Sequence, residues 1–337
     1  MMRAELEETA QALVRNGKGI RAADESTGTI AKRLASVGVE SSFGTRQNYR
    51  EILFSTPHLG KYIAGVIMYD ETVRQAASDG TPFVDVQRHQ HIIPGIKVDT
   101  GAKPLAGCTG ETVTEGLDGL RERIAEYRDL GARFAKWRAV IGIGDGLPTS
   151  TAIATNAHAL GRYAALCQEG GLVPIVEPEV LMDGTHDIDA CEDVTTRVLH
   201  AVFQELFEQR VVLEGMLLKP NMVIAGKDSD YQVGVDEVAE RTLHCLRRTV
   251  PAAVPGIVFL SGGQSSERAT AHLNAMNARF GPHPWTLSFS YGRALQDQAL
   301  KAWAGSPENV VAAQQRLLRR ATLNSAACNG AYTGEAA

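Results

Sequence analysis

Short apolar runs alternate along this chain with stretches whose apolar positions recur every three or four residues. The runs are Gly19 to Asp24, Tyr62 to Tyr69, Ile92 to Val98, Phe134 to Ile141, Leu172 to Glu177, Leu213 to Lys219, Gly256 to Ser261 and Trp285 to Ser290. They are continuous rather than strictly alternating, as parallel strands covered on both faces require. Between them, Val113, Leu117, Leu120, Ile124, Tyr127 and Leu130 trace one helix face, and Ile153, Ala157, Leu160 and Ala164 trace a second. Val194, Val198, Val202 and Leu206, widened by Leu199, Phe203 and Phe207, predict a third helix. Ala269, Leu273, Met276 and Phe280 predict a fourth. Gly170-Gly171 and Gly281-Pro282 are its stop signals in two of these cases.

Eight strands interleaved with helices, with no low-complexity linker, predict a (β/α)8 TIM barrel. Its 337 residues suit one such barrel, so the expected organisation is a single domain over 1–337 with a short, flexible tail at 330–337. The rival, a doubly wound dinucleotide fold, lacks its glycine signature. Gly17-Lys18-Gly19 precedes the first strand, and Gly142-Ile143-Gly144-Asp145-Gly146 has the wrong spacing.

Composition narrows the function. Net charge is −5 and no basic block stands out, so neither a nucleic acid nor a membrane is an expected partner. There is no apolar run long enough to span a bilayer. The five cysteines are widely spaced, which fits a reducing compartment, and the N-terminus resembles neither a signal nor a transit peptide. The expected location is the cytoplasm. His89, His91 and His283 form no metal-ligand spacing, so no metal or other cofactor is expected.

Polar residues end the apolar runs almost every time. The first run ends in Asp24, the third reaches Lys97, the fifth reaches Glu177-Pro178-Glu179 and the sixth ends in Lys219. In a barrel these positions share one rim, where catalysis occurs. Each has a plainer reading: a surface cap for Lys219, a solvated edge for Glu177 and Glu179, a helix N-cap for Asp24. Lys136 is harder to dismiss, because a lysine inside an apolar strand must be paired or functional. It could bridge to Glu177 or Glu179 as a structural pair. It could also place a cation beside a second lysine, favouring the neutral amine that condenses with a carbonyl. Two lysines with proton-shuttling carboxylates suit Schiff-base chemistry.

A second group surrounds the last two strands: Ser261, Gly262 and Gly263, then Gly292 and Arg293. Loops there commonly hold phosphate, with backbone N–H groups and an arginine fork as donors. Ser26, Thr29, Lys32 and Arg33 after the first strand, and Lys97, could contact another anion, although Ser26 could be a helix cap and Lys32 and Arg33 solvated charges.

Seven stretches, GKGIRAADESTG from Gly17, PGIKVD from Pro94, FAKWR from Phe134, PIVEPE from Pro174, LLKPN from Leu217, FLSGGQ from Phe259 and FSYGRAL from Phe289, occur in family order. Together the sequence resembles class I fructose-1,6-bisphosphate aldolase. The resemblance implies a metal-independent lyase of glycolysis and gluconeogenesis that cleaves its ketose bisphosphate reversibly, and a homotetramer. It implies Lys219 as the Schiff-base lysine and Glu177 as acid and base for carbinolamine dehydration. Glu179 would hold the network, Asp24 would take the C4 hydroxyl proton, and Lys136 would supply the neighbouring charge. Ser261, Gly262, Gly263, Gly292 and Arg293 would bind one phosphate; Ser26, Thr29 and Lys97, with Arg33 and Arg138, would bind the other. The same chemistry on sedoheptulose bisphosphate or fructose 1-phosphate, or a non-catalytic scaffold, is the alternative. Many eukaryotic members end in a tyrosine-tipped tail that assists enamine protonation. Tyr332 matches an earlier position, so cleavage with an altered enamine step is the expectation.

Overall fold

The computed structural model describes residues 2–335. The first half runs α1 (Met2–Val14), β1 (Gly19–Ala23), α2 (Thr27–Ala35), α3 (Phe43–Phe54), β2 (Ile63–Met68), α4 (Asp70–Val73), α5 (Phe83–His89), β3 (Ile93–Lys97), β4 (Gly101–Pro104), β5 (Thr112–Glu115), α6 (Leu120–Asp129) and β6 (Phe134–Ile141). The second runs α7 (Ser150–Glu169), β7 (Val173–Val180), α8 (Ile188–Glu208), β8 (Leu217–Leu218), α9 (Val235–Thr249), β9 (Gly256–Phe259), α10 (Ser266–Arg279), β10 (Thr286–Tyr291), α11 (Arg293–Trp303) and α12 (Val310–Cys328). Eight strands close in the order β1-β10-β9-β8-β7-β6-β3-β2, and β4 and β5 form a separate antiparallel pair. Each neighbouring barrel pair is parallel. This is the expected (β/α)8 barrel.

Successive strand side chains face opposite ways, so each strand contributes one row to the barrel interior and one to the layer beneath the helices. Ile20, Ala22, Ile67, Phe134, Val173, Ile175, Leu217 and Val258 fill the interior. They pack with Leu6, Ala10, Leu13 and Val14 of α1, which plugs the N-terminal end of the barrel. The outward rows, including Val66, Ile96, Trp137, Val176, Ile257 and Phe289, join the helices in a larger core. The interior is tight enough to dictate residue size. A Cβ on Gly95 would sit 2.3 Å from the Phe134 ring, so only glycine fits there.

Several elements differ from the sequence pattern. The expected strand from Leu213 to Lys219 shrinks to β8, because Leu213–Gly215 forms a 3-10 turn and Pro220 has no N–H for the ladder. The Lys219 N–H still donates to the Val176 carbonyl at 2.8 Å. The helix expected from Val113 begins only at Leu120. Val113 lies in β5, and Gly116 and Gly119 take positive φ, breaking the apparent stripe. Phe207, assigned to a buried stripe, is 76% exposed. Helix α1, absent from the strand pattern, carries Leu6, Ala10 and Leu13 on one face, a three- to four-residue period visible in the sequence.

At the C-terminal end, the Tyr332 N–H donates to Asn274 Oδ1 at 2.9 Å, and Glu335 pairs with the buried Arg320. Ala336 and Ala337 of the expected tail lie outside the described residues. No helix among the described residues is long and apolar enough to cross a membrane.

Candidate active site

Followed toward the strand C-termini, the inner rows turn from apolar to charged. Ile20 and Ala22 lead to Asp24, Phe134 to Lys136 and Arg138, Ile175 to Glu177 and Glu179, and Leu217 to Lys219. The two-residue period alone therefore delivers these groups to one mouth. Register completes the arrangement: β6 and β7 pair Arg138 with Glu177 and Val140 with Glu179. All line one pocket of about 370 Å³ at the C-terminal face.

The innermost groups alternate in charge. Lys136 Nζ lies 2.7 Å from Asp24 Oδ2 and 3.3 Å from Glu177 Oε2. Lys219 Nζ lies 3.2 Å from Glu177 Oε1. The side chains of Lys136, Glu177 and Lys219 are only 3%, 3% and 4% exposed, so solvent screens little of this interaction. Burial opposes ionisation of Asp24, but Lys136, Lys219 and Lys97 hold it well below the usual carboxylate range. Glu177 is likewise penalised by burial and then driven down by Lys136, Lys219 and Arg138. Burial would lower Lys136, yet Asp24, Glu177 and Asp99 raise it well above an ordinary lysine. Lys136 is therefore a fixed cation tying two carboxylates together.

Around this cluster lie donors suited to anions. Ser261 and Gly262 come from the turn after β9. Gly292 is the N-cap of α11 and Arg293 its first residue, so a helix N-terminus and a guanidinium face the same space. The same lining includes Ser26, Thr29 and Arg33 after β1, the neighbour of β10, together with Lys97 and Arg138 from β3 and β6. Ser26 lines the pocket and is also the N-cap of α2, accepting from the Thr29 N–H at 3.4 Å, which is its plainer reading. Asp24 is not that cap. Lys97 Nζ is held by Asp99 Oδ1 at 2.6 Å, and Arg138 pairs with Glu179.

One expected contact turns away. Gly263 does not line this pocket but an adjoining cleft. It has φ +72, and a Cβ there would lie 2.7 Å from Met182 Cγ, so its role is to make the turn. Lys32 is exposed and lies outside the lining. Tyr291 is buried and donates to the Ala269 carbonyl at 2.9 Å, a packing role.

Other lining residues escaped the sequence reading. Asp99 anchors Lys97 and accepts from the Arg138 N–H at 3.2 Å; its spacing two residues beyond Lys97 was the available signal. Glu25 pairs with Arg33 and, at 2.6 Å, with the buried Arg50 of α3. Burial opposes its charge, but Arg50 and Arg33 outweigh that and hold its carboxyl low. Ser290 continues the inner row of β10.

A family profile described as fructose-bisphosphate aldolase class-I matches residues 5–337. The chain is 59% identical to a Xylella fastidiosa protein named "Probable fructose-bisphosphate aldolase class 1", over 98% of this chain and 99% of that one. It is 57% identical to cytosolic fructose-bisphosphate aldolase 6 of Arabidopsis thaliana, over 95% and 89%. Among solved structures, fructose-bisphosphate aldolase from Plasmodium falciparum, in complex with TRAP and a small-molecule inhibitor, superposes with a TM-score of 0.98. It is 51% identical and covers 99% of this chain and 96% of its own. With sequence identity above half on both counts and almost no residue left outside the match, the chain belongs to the class I fructose-bisphosphate aldolase family.

Proposed function

We propose that this lyase cleaves fructose 1,6-bisphosphate reversibly to dihydroxyacetone phosphate and glyceraldehyde 3-phosphate through an imine on Lys219. The observation that carries this reading is the buried series Asp24, Lys136, Glu177, Lys219, in which every contact joins opposite charges.

Attack on the C2 carbonyl needs an uncharged amine, and Glu177 Oε1 is placed to receive the Lys219 proton. A glutamate held ionised is a base first. Having taken that proton, Glu177 can return it to the carbinolamine hydroxyl, which leaves as water and closes the imine. Asp24 then removes the C4 hydroxyl proton. The C3–C4 bond breaks, its electrons pass to the iminium nitrogen, and the aldehyde departs. Protonation of the resulting enamine at C3 and hydrolysis of the imine release the second triose and restore Lys219. Lys136 keeps Asp24 and Glu177 ionised at the start of the cycle. Glu179, paired with Arg138, holds the rim in place.

The two phosphates would bind at two groups of donors on the rim. Ser261, Gly262, Gly292 and Arg293 serve one; Lys97, Ser26 and Thr29, with Arg33 and Arg138, serve the other. Such local positive potential suits an anionic substrate on a chain that is acidic overall. The cytosolic relatives support a cytoplasmic location, and we propose a single-domain homotetramer.

A coupled cleavage assay tests the reading. Lys219→Met should abolish turnover with circular dichroism unchanged, while excess EDTA leaves the wild type active. Substantial turnover by Lys219→Met, or loss of wild-type activity to the chelator, would overturn it.

A further inference from the structure

A second cleft, of about 250 Å³, lies on the other side of the Ser261–Gln264 turn. Its lining includes Ile224, Lys227, Val233, Gln264, Arg268 and His272. Ser261 and Gly262 face the barrel mouth, whereas Gly263 and Gln264 face this cleft. The volume falls below the ~300–1,000 Å³ of drug-sized sites, so any occupant is small.

Two of its lining residues carry unmet hydrogen-bonding groups. His272 is 1% exposed, and its Nδ1 lies 2.6 Å from Gln264 Oε1. An amide oxygen only accepts, so Nδ1 carries the hydrogen and Nε2 presents a lone pair. Burial, with Arg268 adding to it, pushes His272 down to about 4, so the ring is neutral near pH 7. His272 Nε2 and Gln264 Nε2 are both buried, and neither has a partner among the described residues. One needs a donor and the other an acceptor. At the rim, Arg268 donates to the Val233 carbonyl at 3.1 Å, and Lys227 is paired with Asp183. The uncommitted positive charge at the rim is thus that of Arg268.

We infer that this cleft is a second ligand site, separate from the barrel mouth, and that it takes a small hydroxycarboxylate. The ligand hydroxyl donates to His272 Nε2, a carboxylate oxygen accepts from Gln264 Nε2, and the negative charge meets Arg268. No residue of the proposed catalytic set belongs to it.

Calorimetric titration of D-glycerate into the full chain tests this. The probe has no phosphate, and Arg293→Ala reports any binding at the barrel mouth. Wild type and Arg293→Ala should bind one equivalent alike. Arg268→Ala and His272→Leu should bind about tenfold more weakly or worse, the effect of one lost hydrogen bond. Arg268 is exposed, so its variant does not depend on the core, and cleavage activity reports the fold of both. Absence of binding to the wild type, undiminished binding in either cleft variant, or loss in Arg293→Ala would each overturn the assignment.

Discussion

Lys136 touches two carboxylates and is itself almost wholly buried, so removing it should change proton affinity more than shape. In Lys136→Met, Asp24 loses its paired cation and Glu177 loses one of the two lysines that outweigh its burial. Both carboxyl pKa values should rise, moving the acid limb of the kcat/KM profile upward by about one unit or more. The kcat should fall by roughly 10²–10³, the range for a lost electrostatic stabiliser. A pH–rate profile checks both; an unmoved acid limb would show that Lys136 does not control these carboxylates. Arg293 acts on binding rather than bond cleavage. Arg293→Ala should raise KM about tenfold or more with a smaller change in kcat, since a charge-assisted hydrogen bond is worth ~1.5–3 kcal/mol. At this scale much was readable. A lysine in an apolar strand and carboxylates at strand ends announce themselves locally. Glu25 did not, because its carboxylate gains meaning from Arg50, which only folding brings beside it.

Elements place these residues, and their interiors tolerate little. Gly95→Ala would drive a methyl into the Phe134 ring, costing about 1–3 kcal/mol by overpacking. Denaturant midpoints should report that loss. Arg320 of α12 is fully buried in its side chain, donating to the Ala294 carbonyl at 3.1 Å and the Ser266 carbonyl at 2.8 Å. It thereby holds α10 and α11, the helices that follow the Ser261 and Gly292 turns. Arg320→Leu removes both charge-assisted hydrogen bonds and should cost about 2–4 kcal/mol. It should also raise KM more than a remote destabilising variant does. Barrel strands were legible because burial on both faces leaves continuous apolar runs. The β4–β5 pair was not, because Val113 and Leu117 happen to extend the α6 period across two glycines that break it. Nor was the shortening of β8, which a proline and a 3-10 turn impose from outside the run.

For the whole molecule, the inner rows tie stability to catalysis. Asp24 and Glu177 are depressed in the folded state, so their ionisation contributes stability above the ordinary carboxylate range. That contribution is lost as pH falls through their folded values. Lys136 is raised, so its contribution is complete below the ordinary lysine range and is lost only on rising through its elevated folded value. Stability at pH 4 should therefore be lower relative to pH 7 in the wild type than in a Lys136→Met, Asp24→Asn, Glu177→Gln triple variant, as urea midpoints at the two pH values would record. Every level, from strand period to register to charge order, converges on the amine of Lys219. The most direct test incubates the protein with dihydroxyacetone phosphate, reduces with borohydride and maps the product by mass spectrometry. A single triose phosphate adduct on Lys219 is the predicted result. No adduct, or one on Lys136 or elsewhere, would contradict the account.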